Sequence, residues 1–226
     1  MKSRLFAFVL ILVALPVMAI HHQFHAQVIA IGGDAPTAGA VALAPAGGEG
    51  NASVEHYDAN GISFDQAMSS VRGTDDGRVA VTTAAVTLRN VDILGRVHID
   101  EISARIVGRH AHGAPEAEMT IDNLRLQNVV VDGRHIVLQP DALRLNKART
   151  FNALREGDET ARSSNLVDDT DQTLVVPGVG TLYFGEVVIK PGERSVTMLR
   201  IVFEPQHPLR RITLGTVDTN GTDMFP

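Results

Sequence analysis

The sequence predicts an all-β protein folded as an antiparallel β-sandwich, with a β-solenoid or prism as the alternative. Three observations carry this reading. Apolar residues recur with a period of two over much of residues 53–217, as at Val79, Val81, Thr83, Ala85 and Thr87, and that spacing puts them on one face of a strand. Turn dipeptides such as Asp132-Gly133 and Pro191-Gly192 bound the runs. Aromatic residues are few (Phe 8, Tyr 2, Trp 0), so the core must come from Val, Ile and Leu, which suit a pleated, half-buried surface.

The N-terminus reads as an export signal. Lys2 and Arg4 precede an apolar run over residues 5–15, Pro16 breaks it, and Val17-Met18-Ala19 leaves compact residues before a cut after Ala19. The run is shorter than the roughly 20 residues that span a bilayer. Residues 1–19 are therefore assigned to a cleaved signal peptide. Residues 20–52, rich in Gly, Ala and Pro, read as a flexible N-terminal segment. A short strand over 27–31 and another through Val41 and Leu43 are the ordered alternatives within it.

The β domain is assigned to residues 53–217. One short helical turn is expected near residues 64–71. Val97 and Ile99 alternate, and Ile102, Ala104 and Ile106 alternate in the opposite phase. The shift at Asp100-Glu101 predicts a β-bulge. Ala117, Met119 and Ile121 alternate, as do Leu124 and Leu126. Asp132-Gly133 then predicts a two-residue hairpin between 129–131 and 136–138, because its turn needs positive φ at both central residues. Residues 148–170 are polar and unpatterned and read as a long loop, with a helical turn at 150–155 as an option. Strands are expected over 181–190, 195–203 and 211–217, giving roughly eight to ten in all, and 218–226 reads as a polar C-terminal tail. Residues 86–99 echo 124–137 without gaps, with identities at Leu88/Leu126, Asn90/Asn128, Val91/Val129, Gly95/Gly133 and Arg96/Arg134. Shared turn chemistry explains this better than a repeat, since solenoids need three or more copies.

Composition narrows the function. There is no cysteine in 226 residues, which removes disulfide staples, thiol nucleophiles, thiolate metal sites and a lipid anchor on cysteine. Loss of Lys2 and Arg4 would leave 18 basic against 26 acidic residues, a charge of −8. Such a chain has no general attraction for phosphate backbones, so nucleic acid is not an expected partner. The sequence contains no Gly-x-Ser-x-Gly, His-Glu-x-x-His or Gly-x-x-x-x-Gly-Lys motif, and no catalytic residue is assigned.

Two groups of metal-binding residue types remain. His110 and His112 would share one face of a strand and reach one zinc with help from Glu116, Glu118 or His98. Neighbouring Gly108, Gly113 and Pro115 favour a loop tip instead. Asn165, Asp168, Asp169 and Asp171 supply oxygens suited to calcium, although the loop lacks EF-hand spacing and reads equally as a solvated acidic segment. Without a second shell, His21, His22 and His25, near the new N-terminus, read as a tail and not as a copper or nickel site. Arg210-Arg211 reads as a solvated turn.

Several segments, in order, resemble the choice-of-anchor P family of secreted bacterial β proteins. The run Gly95-Arg96-Val97-His98-Ile99-Asp100-Glu101-Ile102-Ser103-Ala104 is similar to that family's G-x-[LV]-x-[IA]-x-x-[IL]-x-A strand. Residues 123–136 match its hairpin, Pro177-Gly178-Val179-Gly180-Thr181-Leu182-Tyr183-Phe184 its P-G-x-G-T-L strand, and 195–202 and 212–217 its closing strands. Where members carry L-x-L-N-E-Q, this chain reads Leu182-Tyr183-Phe184-Gly185-Glu186-Val187 and keeps only the Glu. The resemblance spans about residues 52–217 and implies a displayed or released β domain, with no activity attached.

The expectation is thus an exported, non-catalytic domain in a surface-display, adhesion or envelope-structural role, secreted or held in the cell envelope. A protein or glycan at the cell surface would be its partner, and no resident cofactor is expected, calcium excepted. A glycan- or calcium-dependent binding module is the alternative. An enzyme with a site assembled from distant loops is the third reading.

Overall fold

The computed structural model describes residues 21–114, 117–136, 172–190 and 193–224. They form twelve strands and, among the described residues, no helix. The strands are β1 (His21–Gly33), β2 (Val41–Ala42), β3 (Gly48–Ala59), β4 (Ile62–Asp75), β5 (Val79–Ile93), β6 (Val97–Ala111), β7 (Glu118–Val131) and β8 (Arg134–Ile136), followed by β9 (Gln172–Val176), β10 (Gly180–Lys190), β11 (Glu193–Phe203) and β12 (Arg211–Met224). Sheet A has the order β2-β1-β12-β11-β10-β9 and sheet B the order β3-β4-β5-β6-β7-β8. Every pairing is antiparallel. The fold is therefore the sandwich and not the solenoid or prism. β1 and β12 of sheet A pack across β4, β5 and β6 of sheet B, and the core between them holds Val28, Ile31, Phe64, Leu88, Ile102, Leu199 and Leu214, all at most 1% exposed.

Three local expectations give way. Of the expected flexible segment 20–52, the described residues 21–52 hold β1, β2 and the start of β3, and β1 pairs along nearly its whole length with β12, from His21↔Met224 to Gly33↔Ile212. Its inward positions are His22, Phe24, Ala26, Val28 and Ala30. Histidine and alanine there hide the alternation from an apolar count. Of the expected tail at 218–226, residues 218–224 are the end of β12, with Thr219 fully buried. Residues 64–71 lie within β4 and not in a helical turn.

The third error has a physical cause that runs through the whole molecule. In β4 the buried positions are 62 and 64, then 67, 69, 71 and 73. The inward phase flips at Asp65-Gln66, so Phe64, Ala67 and Val71 acquire the 3- and 7-residue spacing of a helix. The same flip occurs at Glu55-His56, Arg89-Asn90, Asp100-Glu101 and Gln127-Asn128. The pairs Glu55↔Gln66, Gln66↔Arg89, Arg89↔Glu101 and Glu101↔Gln127 align these doublets in one line across β3–β7. Beside that line every second strand carries a left-handed residue: His56 (φ 63°), Asn90 (φ 53°) and Asn128 (φ 54°). Asn tolerates this conformation better than most L-residues. The phase shift read at Asp100-Glu101 is real, but it is not a bulge, because the β5–β6 register is the same on both sides of it. The β6–β7 register shift lies further along, between Ser103 and Arg105.

Sheet A has a matching line. The flanking pairs Ile29↔Thr216, Thr197↔Thr216, Phe184↔Leu199 and Leu199↔Leu214 bracket Ala30, Gly215, Met198 and Gly185. Gly215 (φ 66°) and Gly185 (φ 69°) are left-handed. A Cβ on Gly215 would lie 3.2 Å from Cγ2 of Ile102, so the two lines stack across the core.

The predicted Asp132-Gly133 hairpin is present, with φ of 49° and 75° and the closing pair Val131↔Arg134.

Candidate functional site

The outer face of sheet B holds a shallow open depression of about 550 Å³. Its floor is small because the outward positions of β4 and β5 are Ser70, Thr74, Val81, Thr83 and Ala85, and its rim carries Glu49, Asn51, Arg72 and Arg105. Long charged side chains around a floor of short ones produce the concavity. Arg72 Nε lies 3.1 Å from Glu49 Oε1, with both side chains more than half exposed, so this pair contributes little to stability. Arg105 Nη1 lies 3.9 Å from Asp122 Oδ2.

The phase-flip line crosses this same outer face. Asn90 Nδ2 donates to Asp65 Oδ2 at 2.7 Å, and Asn128 Nδ2 donates to Asp100 Oδ2 at 2.9 Å. Both of these left-handed Asn residues thus hand their amide to a carboxylate on the neighbouring strand. Together with Glu55, Gln66, Arg89, Glu101 and Gln127 they make a polar ridge from β3 to β7. No single residue of this face stands out in the sequence; it appears only when the strand registers are known.

His22, His110 and His112 fall at one end of the sandwich. His110 (5% exposed, β6) and His22 (7% exposed, β1) face each other between the sheets, with ring centroids 5.2 Å apart and edge-to-face. His110 Nε2 lies 2.8 Å from the Ala114 carbonyl oxygen, which accepts. His112 is in the turn beyond β6, where its Nε2 lies 2.8 Å from Asp75 Oδ1. Partial burial pushes the Asp75 carboxyl up, but hydrogen bonds from His112 and the Gly77 N–H outweigh it and hold the group below the usual carboxylate range. His110 and His112 therefore serve different partners and do not share a strand face. Among the described residues no three His, Asp or Glu side chains are grouped to hold a metal ion. His98 sits at the far end of β6, its Nδ1 2.6 Å from Asp92 Oδ2. Glu116, Asn165, Asp168, Asp169 and Asp171 lie outside the described residues.

At that opposite end Arg96 ties three turns together. It makes a bidentate contact with Asp132, 2.7 Å on each arm, and also donates to the Pro177 carbonyl oxygen. Arg210 and Arg211 are exposed at the turn into β12, and both backbone N–H groups donate to Asp34 Oδ2, at 2.9 and 2.8 Å. Those two bonds hold the Asp34 carboxyl below its ordinary pKa.

A family model described as a domain of unknown function (DUF8256) matches residues 22–174. No curated protein and no solved structure matches the chain.

Proposed function

The chain belongs to the DUF8256 family, and we propose that it is an exported, non-catalytic β module acting at the cell surface or in the envelope through the outer face of sheet B. The observation that carries this is the shape of that face. A shallow, open depression of mixed polar and apolar lining suits contact with a large partner better than enclosure of a small substrate, which calls for a cleft burying most of the ligand. The basic and then apolar residues 2–15, followed by Val17-Met18-Ala19, support export, and the family match begins at residue 22, beyond the expected cut after Ala19. The test is fractionation of the full chain carrying a C-terminal tag. The expected protein starts at Ile20 and stays with the envelope, while R72A/R105A, which strips the rim of its cations, passes into the medium. A cytosolic chain with its leader intact would overturn the export reading, and a double variant still held in the envelope would overturn the role given to this face.

A glycan-binding role is favoured by the hydroxyl and amide groups of Asn51, Ser70, Thr74 and Thr83 around the depression. Its measurement is the melting midpoint against soluble glycans, which must rise if the native state binds. Calcium and a chelator in the same series address Asp168, Asp169 and Asp171.

A further inference from the structure

We propose that Asn51 is the acceptor of an N-linked glycan. The inference rests on the export reading above, because transfer of a glycan to asparagine belongs to exported chains. Two of the nine asparagines are followed two residues later by a hydroxyl residue with no intervening proline: Asn51-Ala52-Ser53 and Asn220-Gly221-Thr222. This is the acceptor pattern for asparagine-linked sugars. Each is also preceded by an acid two residues earlier, Glu49 and Asp218, so both segments read acid-x-Asn-x-hydroxyl.

The structure separates the two. Residues i−2, i and i+2 of a strand share a face, and on β3 that face is the exposed one: Glu49, Asn51 and Ser53 are exposed while Gly50 and Ala52 are partly covered. β3 is also the edge strand of sheet B, paired only with β4 through Asn51↔Ser70. An enzyme can therefore read the whole five-residue pattern from solvent. The Glu49–Arg72 pair is exposed and weak enough to release the acid. Asn220 is instead on β12, hydrogen-bonded into the middle of sheet A opposite His25 on one side and Glu193 on the other. The same pattern thus appears once on an open edge and once on an interior strand, and the second acts as an internal control.

The transfer needs an activated donor, a lipid-linked sugar diphosphate. The Asn51 amide nitrogen bonds to the anomeric carbon, the anomeric carbon–oxygen bond breaks, the lipid diphosphate leaves with the electron pair, and it takes up the proton lost by the amide. The product glycan would stand on the rim of the depression and beside the free edge of β3. A bulky hydrated group there blocks pairing with the edge of another chain, a hazard that exposed edge strands must manage.

The test is intact and peptide mass measurement of the full chain recovered from its own host, with N51Q, S53A and N220Q alongside. The expected result is a sugar mass on the peptide holding Asn51, lost in N51Q and S53A and kept in N220Q. A chain starting at Ile20 with bare Asn51, or with sugar on Asn220 alone, overturns the inference while leaving export intact. A chain that retains residues 1–19 in the cytosol overturns the export reading and the inference with it. N51Q and S53A alter only exposed positions, so their melting midpoints should match the unglycosylated protein, which separates loss of sugar from loss of fold.

Discussion

The two sheets solve one backbone problem with opposite chemistry. Each carries a line where the strands flip their inward phase and every second strand takes a left-handed residue. In sheet B the doublet at the flip points outward, as Arg89-Asn90 does, and the left-handed positions are His56, Asn90 and Asn128. In sheet A the doublet points inward: Ala30-Ile31, Met198-Leu199 and Leu214-Gly215 are all buried, and the left-handed positions are Gly185 and Gly215. Toward water, Asn can adopt the conformation and place its amide on Asp65 or Asp100. Toward the core a side chain at Gly215 would be crowded, since its Cβ would lie 3.2 Å from Ile102 and Met198. The same turn of the backbone therefore selects a polar amide or a bare glycine according to which side of the sheet it faces.

Substitutions at the two lines can break this comparison. Gly215→Val should be the most damaging, because it adds a β-branched side chain at φ 66° against two fully buried neighbours. We expect failure to fold at 37 °C, read by circular dichroism. Gly215→Ala adds left-handed strain and local overpacking and should cost roughly 2–4 kcal/mol in urea unfolding. Asn90→Ala in sheet B loses one exposed hydrogen bond and the Asn preference for this conformation, and should cost about 1 kcal/mol. Asn90→Gly should lie within about 0.5 kcal/mol of the parent, since glycine accepts the backbone and gives up only the bond to Asp65. If Gly215→Ala proves as mild as Asn90→Ala, the core side of the comparison is wrong.

A smaller effect sharpens the contrast between the two ends of β1. Asp34, just beyond it, has a carboxyl held below its ordinary pKa by the Arg211 and Arg210 N–H groups. A folded-state pKa below the unfolded one contributes stability that is complete above the unfolded value of about 3.9 and fades as pH falls through the folded value. D34N should therefore lower the melting midpoint slightly at pH 7 and flatten its decline below about pH 4. Asp75 at the histidine end obeys the same sign, so D75N should act in the same direction.

Much of the sheet was legible. The alternation at 79–87 is β5, and Asp132-Gly133 is the β7–β8 turn. The echo between 86–99 and 124–137 has a fuller explanation than turn chemistry. Asn90 and Asn128 are both left-handed at the phase-flip line, and Leu94-Gly95 and Asp132-Gly133 both have positive φ at the following turn. Equal spacing from line to turn makes the two segments alike. The ridge itself was not legible, because a lone Asn in an alternating run carries no mark of its neighbours in register. The outer-face depression was hidden for the same reason: its lining comes from four strands spread between Glu49 and Arg105.

By itself the sequence determined what is local. It set which residues alternate, where a turn needs positive φ, and that a chain without cysteine must hold together through a Val-, Ile- and Leu-rich core. The tertiary structure alone decided that β1 closes on β12, that the two lines stack through Gly215 and Ile102, and that Asn51 lies on an open edge while Asn220 lies inside a sheet. Those outcomes depend on pairing between residues more than 200 positions apart, as His21 and Met224 are. Pairing at that range is chosen by burial and register across the whole sheet, and no window of neighbouring residues contains it.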